Sequence, residues 1–331
     1  MGLLVDGKWQ TDWYQPDSDG QFVRTEATFR HRVRADHSTP FTPASDRYHL
    51  YVSWACPWAH RVILMRALAG LDHAIDLSVV EHFMSDQGWR FNPEIEGATP
   101  DKILGAEYLR DVYLAANERF TGRVTVPVLW DKHTHTIVNN ESRELLRMLD
   151  HEFRGVATRD VDLAPPDLLE RVDQVIDAIY GPINNGVYMA GFATTQQAYD
   201  KAVHRLFEAL DHWEAVLATQ RWLAGDRMTE ADLCMFTTLI RFDLVYNTHF
   251  KCNRKRIIDY PNLWAFVREI YQLPGVAQTC NFEHIRKHYY ASHVTINPHG
   301  IVPIGPNVEA ELQRPHNRDQ PGISAQTTIF G

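Results

Sequence analysis

The chain reads as an α/β domain followed by an all-helical one, and three observations carry that reading. A strand over residues 48 to 54 gives way at Cys56-Pro57 to an apolar helix over 57 to 69, and a tight strand-turn-strand-helix run fills residues 126 to 149. From Leu168 onward every periodic segment is helical. At 331 residues the chain is long enough to build two cores.

Pro57 suits a first helical turn because the N–H it lacks would find no partner there, and Arg61 to Leu68 continue the apolar helix. A strand over 75 to 80 follows, with Leu77 and Val79 on one face. Residues 81 to 125 are too long for a structureless loop, and Leu104, Tyr108 and Val112, with Leu109 and Tyr113 beside them, fit a short helix inside them. Strand 126 to 130, turn 131 to 134, strand 135 to 138 and a helix from Glu141 to Leu149, capped by Asn140, complete the domain. The order β-α-β, excursion, β-β-α is that of a thioredoxin-like domain, expected over 47–152. Residues 1–46, polar and rich in Gly, Pro, Asp and Ser, read as a coil extension.

Residues 151 to 164 read as a linker ending in Ala164-Pro165-Pro166. Beyond it, Leu168, Val172, Val175, Ile176 and Ile179 fit one helix face, and Val203, Leu206, Phe207, Leu210, Trp213 and Leu217 fit another. Thr229-Glu230-Ala231-Asp232 resembles a capping box with Asp in place of Glu, and it heads the nearly all-apolar Leu233 to Val245, the expected buried centre of a helical domain over 165–290. Leu263, Phe266, Val267 and Ile270 mark a helix after Pro261, and 291–331, with five prolines, read as an irregular tail.

A net charge of −9 without a dense Lys/Arg run argues against nucleic acid or an anionic membrane as partner. No apolar stretch approaches the ~18 residues of a membrane span, and the first residues carry no secretion signal. Four unclustered cysteines suit a reducing compartment, which predicts a cytoplasmic protein.

Cys56 is the focus of the chemistry. At a strand-to-helix junction it faces the unpaired N–H groups and partial positive charge of a helix start, where thiols titrate at roughly 3.5 to 7.5. Residue 59 is Ala, so no resolving cysteine completes a Cys-x-x-Cys pair, and Cys234, Cys252 and Cys280 lie far along the chain. A disulfide formed at Cys56 is then resolved most economically by a small diffusible thiol, which points to glutathione. The plainer alternative is a small buried hydrophobe. Pro127, opening a strand in Thr125-Val126-Pro127-Val128, stands where a thioredoxin-like domain places a cis-proline beside its active cysteine, leaving the Val126 backbone open to an extended peptide. Asn139-Asn140-Glu141-Ser142 opens a helix whose free N–H groups suit a carboxylate, although simple capping accounts for it equally. Seventeen histidines and the i,i+4 pairs Cys56/His60 and His284/His288 come with no further ligands at recognisable spacing, so no metal is expected.

Together these pieces resemble the glutathione transferases, in which a thioredoxin-like domain precedes an all-helical one. The strings Cys56-Pro57-Trp58-Ala59-His60-Arg61, Gly122-Arg123-Val124-Thr125-Val126-Pro127-Val128-Leu129-Trp130-Asp131 and Ile137-Val138-Asn139-Asn140-Glu141-Ser142 are similar to those of the Xi class, the glutathionyl-hydroquinone reductases. The resemblance covers nearly the whole chain, including Gly88-Trp89-Arg90-Phe91. It implies that Cys56 is the nucleophile and that Trp89, Arg123, Val126, Glu141 and Ser142, with Val124 and Thr125 in the same run, bind glutathione as co-substrate. It also implies that Tyr188, Tyr246 and Tyr289 line the site for a glutathionyl-hydroquinone in the helical domain, with Tyr188 the proton donor, and that the chain forms a homodimer. From the residues alone each tyrosine is an ordinary half-buried aromatic. The alternatives are an omega-like thiol transferase or dehydroascorbate reductase built on the same cysteine, and a non-catalytic binding module of the same fold.

Overall fold

The computed structural model describes residues 2–11 and 14–319. In chain order the elements are β1 (Gly2–Val5), β2 (Lys8–Thr11), β3 (Tyr48–Val52), α1 (Pro57–Leu68), β4 (Asp76–Val79), α2 (Leu109–Ala116), β5 (Gly122–Arg123), β6 (Val128–Asp131), β7 (Thr136–Asn139), α3 (Ser142–His151), α4 (Leu169–Ile179), α5 (Gly186–Gly191), α6 (Gln196–Leu217), α7 (Glu230–Arg241), α8 (Pro261–Tyr271), α9 (Phe282–Ser292) and α10 (Val308–Leu312). They divide into two compact units, one of residues 1–13, 24–161 and 278–293, the other of 14–23, 162–277 and 294–331.

The first unit is built on a four-stranded sheet in the order β4-β3-β6-β7, with β3 parallel to β4 and antiparallel to β6, and β6 antiparallel to β7. All five residues of β3 are buried, as expected of a central strand covered on both faces. This is the thioredoxin-like arrangement that the element order implies, and α1 packs against α3 beside it.

Two expectations for this unit need correction. Residues 1–46 are not all coil: β1 and β2 form an antiparallel hairpin, and β1 also pairs with β5 through Leu3 and Arg123. The hairpin turns on Asp6-Gly7, both at positive φ (48° and 74°), the dipeptide that two-residue hairpin turns favour. A Cβ at residue 7 would lie 2.1 Å from the Glu118 carbonyl oxygen, so only glycine fits. Asn140 is not the cap of α3 either. The helix starts one residue later than expected, with Glu141 as N-cap, its Oε1 accepting the Arg143 N–H at 3.1 Å. The Asn140 side chain faces sideways, its Oδ1 accepting the Phe29 N–H at 3.1 Å.

The rest of the N-terminal arm in this unit is latched by Glu144 of α3. Its carboxylate accepts from Arg30 at 2.9 and 2.7 Å, from Arg32 at 2.9 Å and from Asn139 Nδ2 at 2.8 Å.

In the second unit the capping box forms with Asp232 in the Glu position, its Oδ2 accepting the Thr229 N–H at 2.7 Å. Burial pushes the Asp232 carboxyl up to about 6 against these hydrogen bonds. All twelve residues of α7 are buried, so the apolar run is the centre of this unit, as its composition requires. The tail is irregular apart from α10, a five-residue helix started by Asn307, whose Oδ1 accepts the Ala310 N–H. Its last part, residues 320–331, lies outside the described residues. Arg318 is buried between Trp222 and Phe266 and, with Arg221, pairs with the equally buried Glu269. Among the described residues no helix is long and apolar enough to cross a membrane.

Burial alone would raise the pKa of Glu144, but the hydrogen bonds from Arg30 and Asn139 and the charges of Arg32 and Arg30 hold it at about 2, against 4.5 for an ordinary Glu. A depressed folded-state value contributes stability that is present above the unfolded value and lost as pH falls through the folded one. In urea unfolding, wild type is therefore expected to exceed Glu144→Gln by a constant margin above about pH 5 that shrinks between about pH 4.5 and 2. A margin independent of pH would contradict the latch.

Candidate active site

Sheet topology brings three sequence-distant pieces to one end of the first unit. β3 runs antiparallel to β6, so the C-terminal end of β3 lies beside the start of β6, with Tyr51 opposite Val128. β7 runs antiparallel to β6, so its last residue, Asn139, returns to Leu129 at the same end and hands the chain to α3. Cys56, Val126-Pro127 and Glu141-Ser142 all extend from these strand ends.

Cys56 is the N-cap of α1, with Pro57 at the first helical position. Its half-buried Sγ accepts the Ala59 N–H at 3.5 Å, a donor that stabilises the thiolate over the thiol. The thiol also reaches the Val126 carbonyl, at 3.7 Å. The Val126-Pro127 peptide bond is cis, as the position of Pro127 predicts. Among the described residues no hydrogen bond engages the Val126 N–H, so an edge of backbone is left open beside the sulfur.

Behind this edge, the Tyr113 hydroxyl donates to the Thr125 carbonyl at 2.8 Å and accepts the Thr125 N–H at 3.2 Å. Val124 and Val126 are buried, and Arg123 sits on β5. At the start of α3, Ser142 is buried, its hydroxyl 3.5 Å from Glu141 Oε1 and 3.5 Å from Arg61 Nη1 of α1. The buried Arg61 guanidinium lies over the Trp58 ring, 4.6 Å from its centroid, and Arg24 lies over the same ring at 4.8 Å. Positive charge and a helix N-terminus therefore meet at Ser142.

Trp89 stacks on His288 of α9, with ring centroids 4.8 Å apart and 26° between planes. The next residue, Tyr289, is buried. Tyr289 was expected among the helices of the second domain; it belongs instead to the unit that holds Cys56, because α9 packs on the excursion that carries Trp89. The His284/His288 pair does that fastening: His284 Nε2 donates to the Glu96 carbonyl at 2.7 Å and His288 Nδ1 to the His82 carbonyl at 2.9 Å. Burial lowers His82 to about 4, and burial lowers His284 as well.

The other two tyrosines meet in the second unit, their ring centroids 6.0 Å apart. Tyr188 on α5 follows a π-helical turn at Tyr180–Asn184, and Tyr246 ends another at Phe242–Tyr246. Such turns are frequent at functional sites. Phe192, Phe250 and, from the N-terminal arm, Phe22 complete an aromatic wall around Tyr188. Gly191 is required there, since a Cβ would lie 2.2 Å from the Phe250 ring. Sequence reasoning did not single out Phe22 or the Tyr113-Asn140 pair, and it weighed His288 only as half of an i,i+4 metal pair. Of these only Tyr113 left a signal, a hydroxyl on an apolar helix stripe that must find a partner when buried.

A thioredoxin-like sheet with one cysteine at the head of its first helix and a cis-proline beside it defines a thiol-transfer protein of the glutathione-handling kind. Residues 55–152 match the family model of the glutathione S-transferase N-terminal domain, and residues 196–269 that of its C-terminal domain. The glutathionyl-hydroquinone reductase YqjG of Escherichia coli is 50% identical, over 96% of this chain and 99% of its own. A Xi-class glutathione transferase structure from Natrialba magadii is 51% identical, with a TM-score of 0.91 over 98% of each chain. The glutathione-bound structure of YqjG aligns with a TM-score of 0.87 at 48% identity, over 96% of this chain and 99% of that one. The chain belongs to the glutathione transferase family, and within it to the Xi-class branch that holds the glutathionyl-hydroquinone reductases.

The four cysteines form no disulfide, and they differ in access. Cys234 and Cys252 are fully buried, and burial pushes the Cys252 thiol far above its ordinary range. Iodoacetamide at neutral pH is therefore expected to label Cys56 first and to reach Cys234 and Cys252 only after unfolding, as read by peptide mass mapping. Labelling of Cys252 at the rate of Cys56 in the native protein would contradict the site.

Proposed function

We propose that this chain is a glutathionyl-hydroquinone reductase in which Cys56 carries the glutathionyl group between substrate and glutathione. The carrying observation is the half-buried Cys56 sulfur, hydrogen-bonded by the Ala59 N–H and beside the cis Val126-Pro127 bond, with no second cysteine in its helix turn. The Cys56 thiolate attacks the glutathionyl sulfur of the aromatic thioether. A sulfur–sulfur bond forms, the sulfur–carbon bond breaks, and its electron pair goes to the ring carbon, which takes a proton from the Tyr188 hydroxyl. The sulfurs are oxidised to a Cys56-glutathione disulfide and the ring is reduced to the free hydroquinone. A second glutathione thiolate then attacks that disulfide, releasing oxidised glutathione and restoring Cys56.

Glutathione lies along the open Val126 backbone. Ser142 and the α3 N-terminus take its γ-glutamyl carboxylate and Glu141 takes its amino group. Arg123, with Trp89 as a wall, holds the glycyl end, and Val124 and Thr125 shape the strand approach. Tyr246 and Tyr289 present phenolic hydroxyls that stabilise the thiolate. The relative YqjG is a glutathionyl-hydroquinone reductase with a glutathione-bound structure, which supports glutathione as co-substrate here. The protein works as a cytoplasmic homodimer in this reading, and a thiol transferase activity on mixed disulfides accompanies the main reaction because both start from the same thiolate.

A steady-state assay with glutathione and glutathionyl-menadiol tests this. Wild type is expected to release menadiol with ping-pong kinetics, Cys56→Ala to release none, and Tyr188→Phe to lose about a hundredfold in rate. Full activity in Tyr188→Phe would remove its role as proton donor. Turnover of a glutathione mixed disulfide without menadiol release would move the assignment to a general thiol transferase.

A further inference from the structure

We infer that the Tyr113 hydroxyl is a positioning group that sets the spacing between the two halves of the glutathione site, the Val126 edge and the start of α3. This rests on the proposed glutathione-binding roles of Val126, Glu141 and Ser142. A phenol oxygen has one hydrogen to donate and room to accept two, and all three places are used. It donates to the Thr125 carbonyl at 2.8 Å, and accepts the Thr125 N–H at 3.2 Å and the Asn140 Nδ2–H at 3.0 Å. Thr125 is the residue before Val126-Pro127, and Asn140 is the residue before Glu141-Ser142. One buried oxygen thus joins the two segments that contact opposite ends of the ligand, although they belong to different strand connections.

The Thr125 hydroxyl lies 3.5 Å from the same oxygen, so every neighbour of the Tyr113 hydroxyl belongs to Thr125 or Asn140, and Asn140 has no other orientation. Asn140 Oδ1 accepts the Phe29 N–H, and the Asn140 N–H donates to the Phe29 carbonyl, both at 3.1 Å. That pairing fixes the amide plane, aims Nδ2 at Tyr113 and explains why Asn140 does not cap α3. Phe29 and Phe120 cover the Tyr113 ring, with centroids 5.8 and 5.1 Å away, and the residue is fully buried. Burial also pushes the Tyr113 pKa up, which keeps its proton available to Thr125. Tyr113 touches no reacting atom. Its influence is on where the two binding segments stand, and sub-ångström placement of such groups governs how much binding energy a bridging ligand realises.

Tyr113→Phe keeps the ring and removes only the oxygen. With glutathionyl-menadiol at saturation, its KM for glutathione is expected to rise about fivefold or more, while kcat at saturating glutathione stays within about threefold of wild type. The rise in Tm that glutathione gives the wild type is expected to shrink in parallel. A variant with lowered Tm in buffer but an unchanged KM and an unchanged glutathione-dependent Tm shift would show Tyr113 to be structural only and overturn the inference. Asn140→Asp keeps the acceptor for Phe29 and removes the donor to Tyr113. It is expected to move KM in the same direction, and it decides the matter by the same criterion if Tyr113→Phe does not fold. The wild type separates the two levels of the argument. Without menadiol release by wild type the reductase reading falls and this inference with it. With release, an unmoved KM in the variants removes the inference alone.

Discussion

The site is organised around one hydrogen bond between a helix and a sulfur. Cys56 stands in the N-cap position, where a side-chain atom normally accepts an N–H that the helix cannot satisfy, and here the acceptor is Sγ. A thiolate is a better acceptor than a thiol, so the requirement of the helix and the requirement of the chemistry coincide. Pro57 takes the next position without adding a competing donor. Residue 59, where a dithiol enzyme keeps a second cysteine, is Ala.

Everything around that sulfur follows from strand direction. Because β6 is antiparallel to both of its neighbours, the ends of β3 and β7 and the start of β6 fall together, and the elements that leave them carry the Cys56 thiol, an open backbone edge and a helix N-terminus. The N-terminal arm then closes over this end of the sheet through Phe29, Arg30 and Arg32. The arm is thereby part of the site's support, and the ion pairs with Glu144 gain from being multiple and held by a third donor, Asn139.

The parts of this account that were legible in the sequence are those set by local chemistry. The strand-Cys-Pro-helix junction, the cis-proline position, the Thr229-Asp232 box and the fully buried α7 each follow from a few adjacent residues. Most of what escaped depended on partners distant in sequence, although Asp6-Gly7 is a local hairpin signal that was passed over. The β1–β2 hairpin has four-residue strands, too short for a period to show, and β1 draws on β5 more than a hundred residues away. Asn140 has the composition of a cap, and only the presence of Phe29 and Tyr113 turns its side chain elsewhere. Helix α9 is amphipathic, which reveals that it has a buried face but not that this face meets Trp89 and the His82 carbonyl in the cysteine's own unit. The resemblance to the Xi class singled out tyrosines that no physical reading of the residues would have chosen, and the π-helical turns beside Tyr188 and Tyr246 are local features that the sequence pattern did not display.

In the proposed reaction Cys56 accepts the glutathionyl group directly from an aromatic carbon. The most direct measurement mixes the protein, freed of glutathione, with an excess of glutathionyl-menadiol, and reads menadiol release together with whole-protein and peptide mass spectrometry. One menadiol is expected per Cys56, with one glutathione bound to Cys56 through a disulfide that a reductant removes. Menadiol release without an adduct at Cys56, or an adduct on another cysteine, would contradict it.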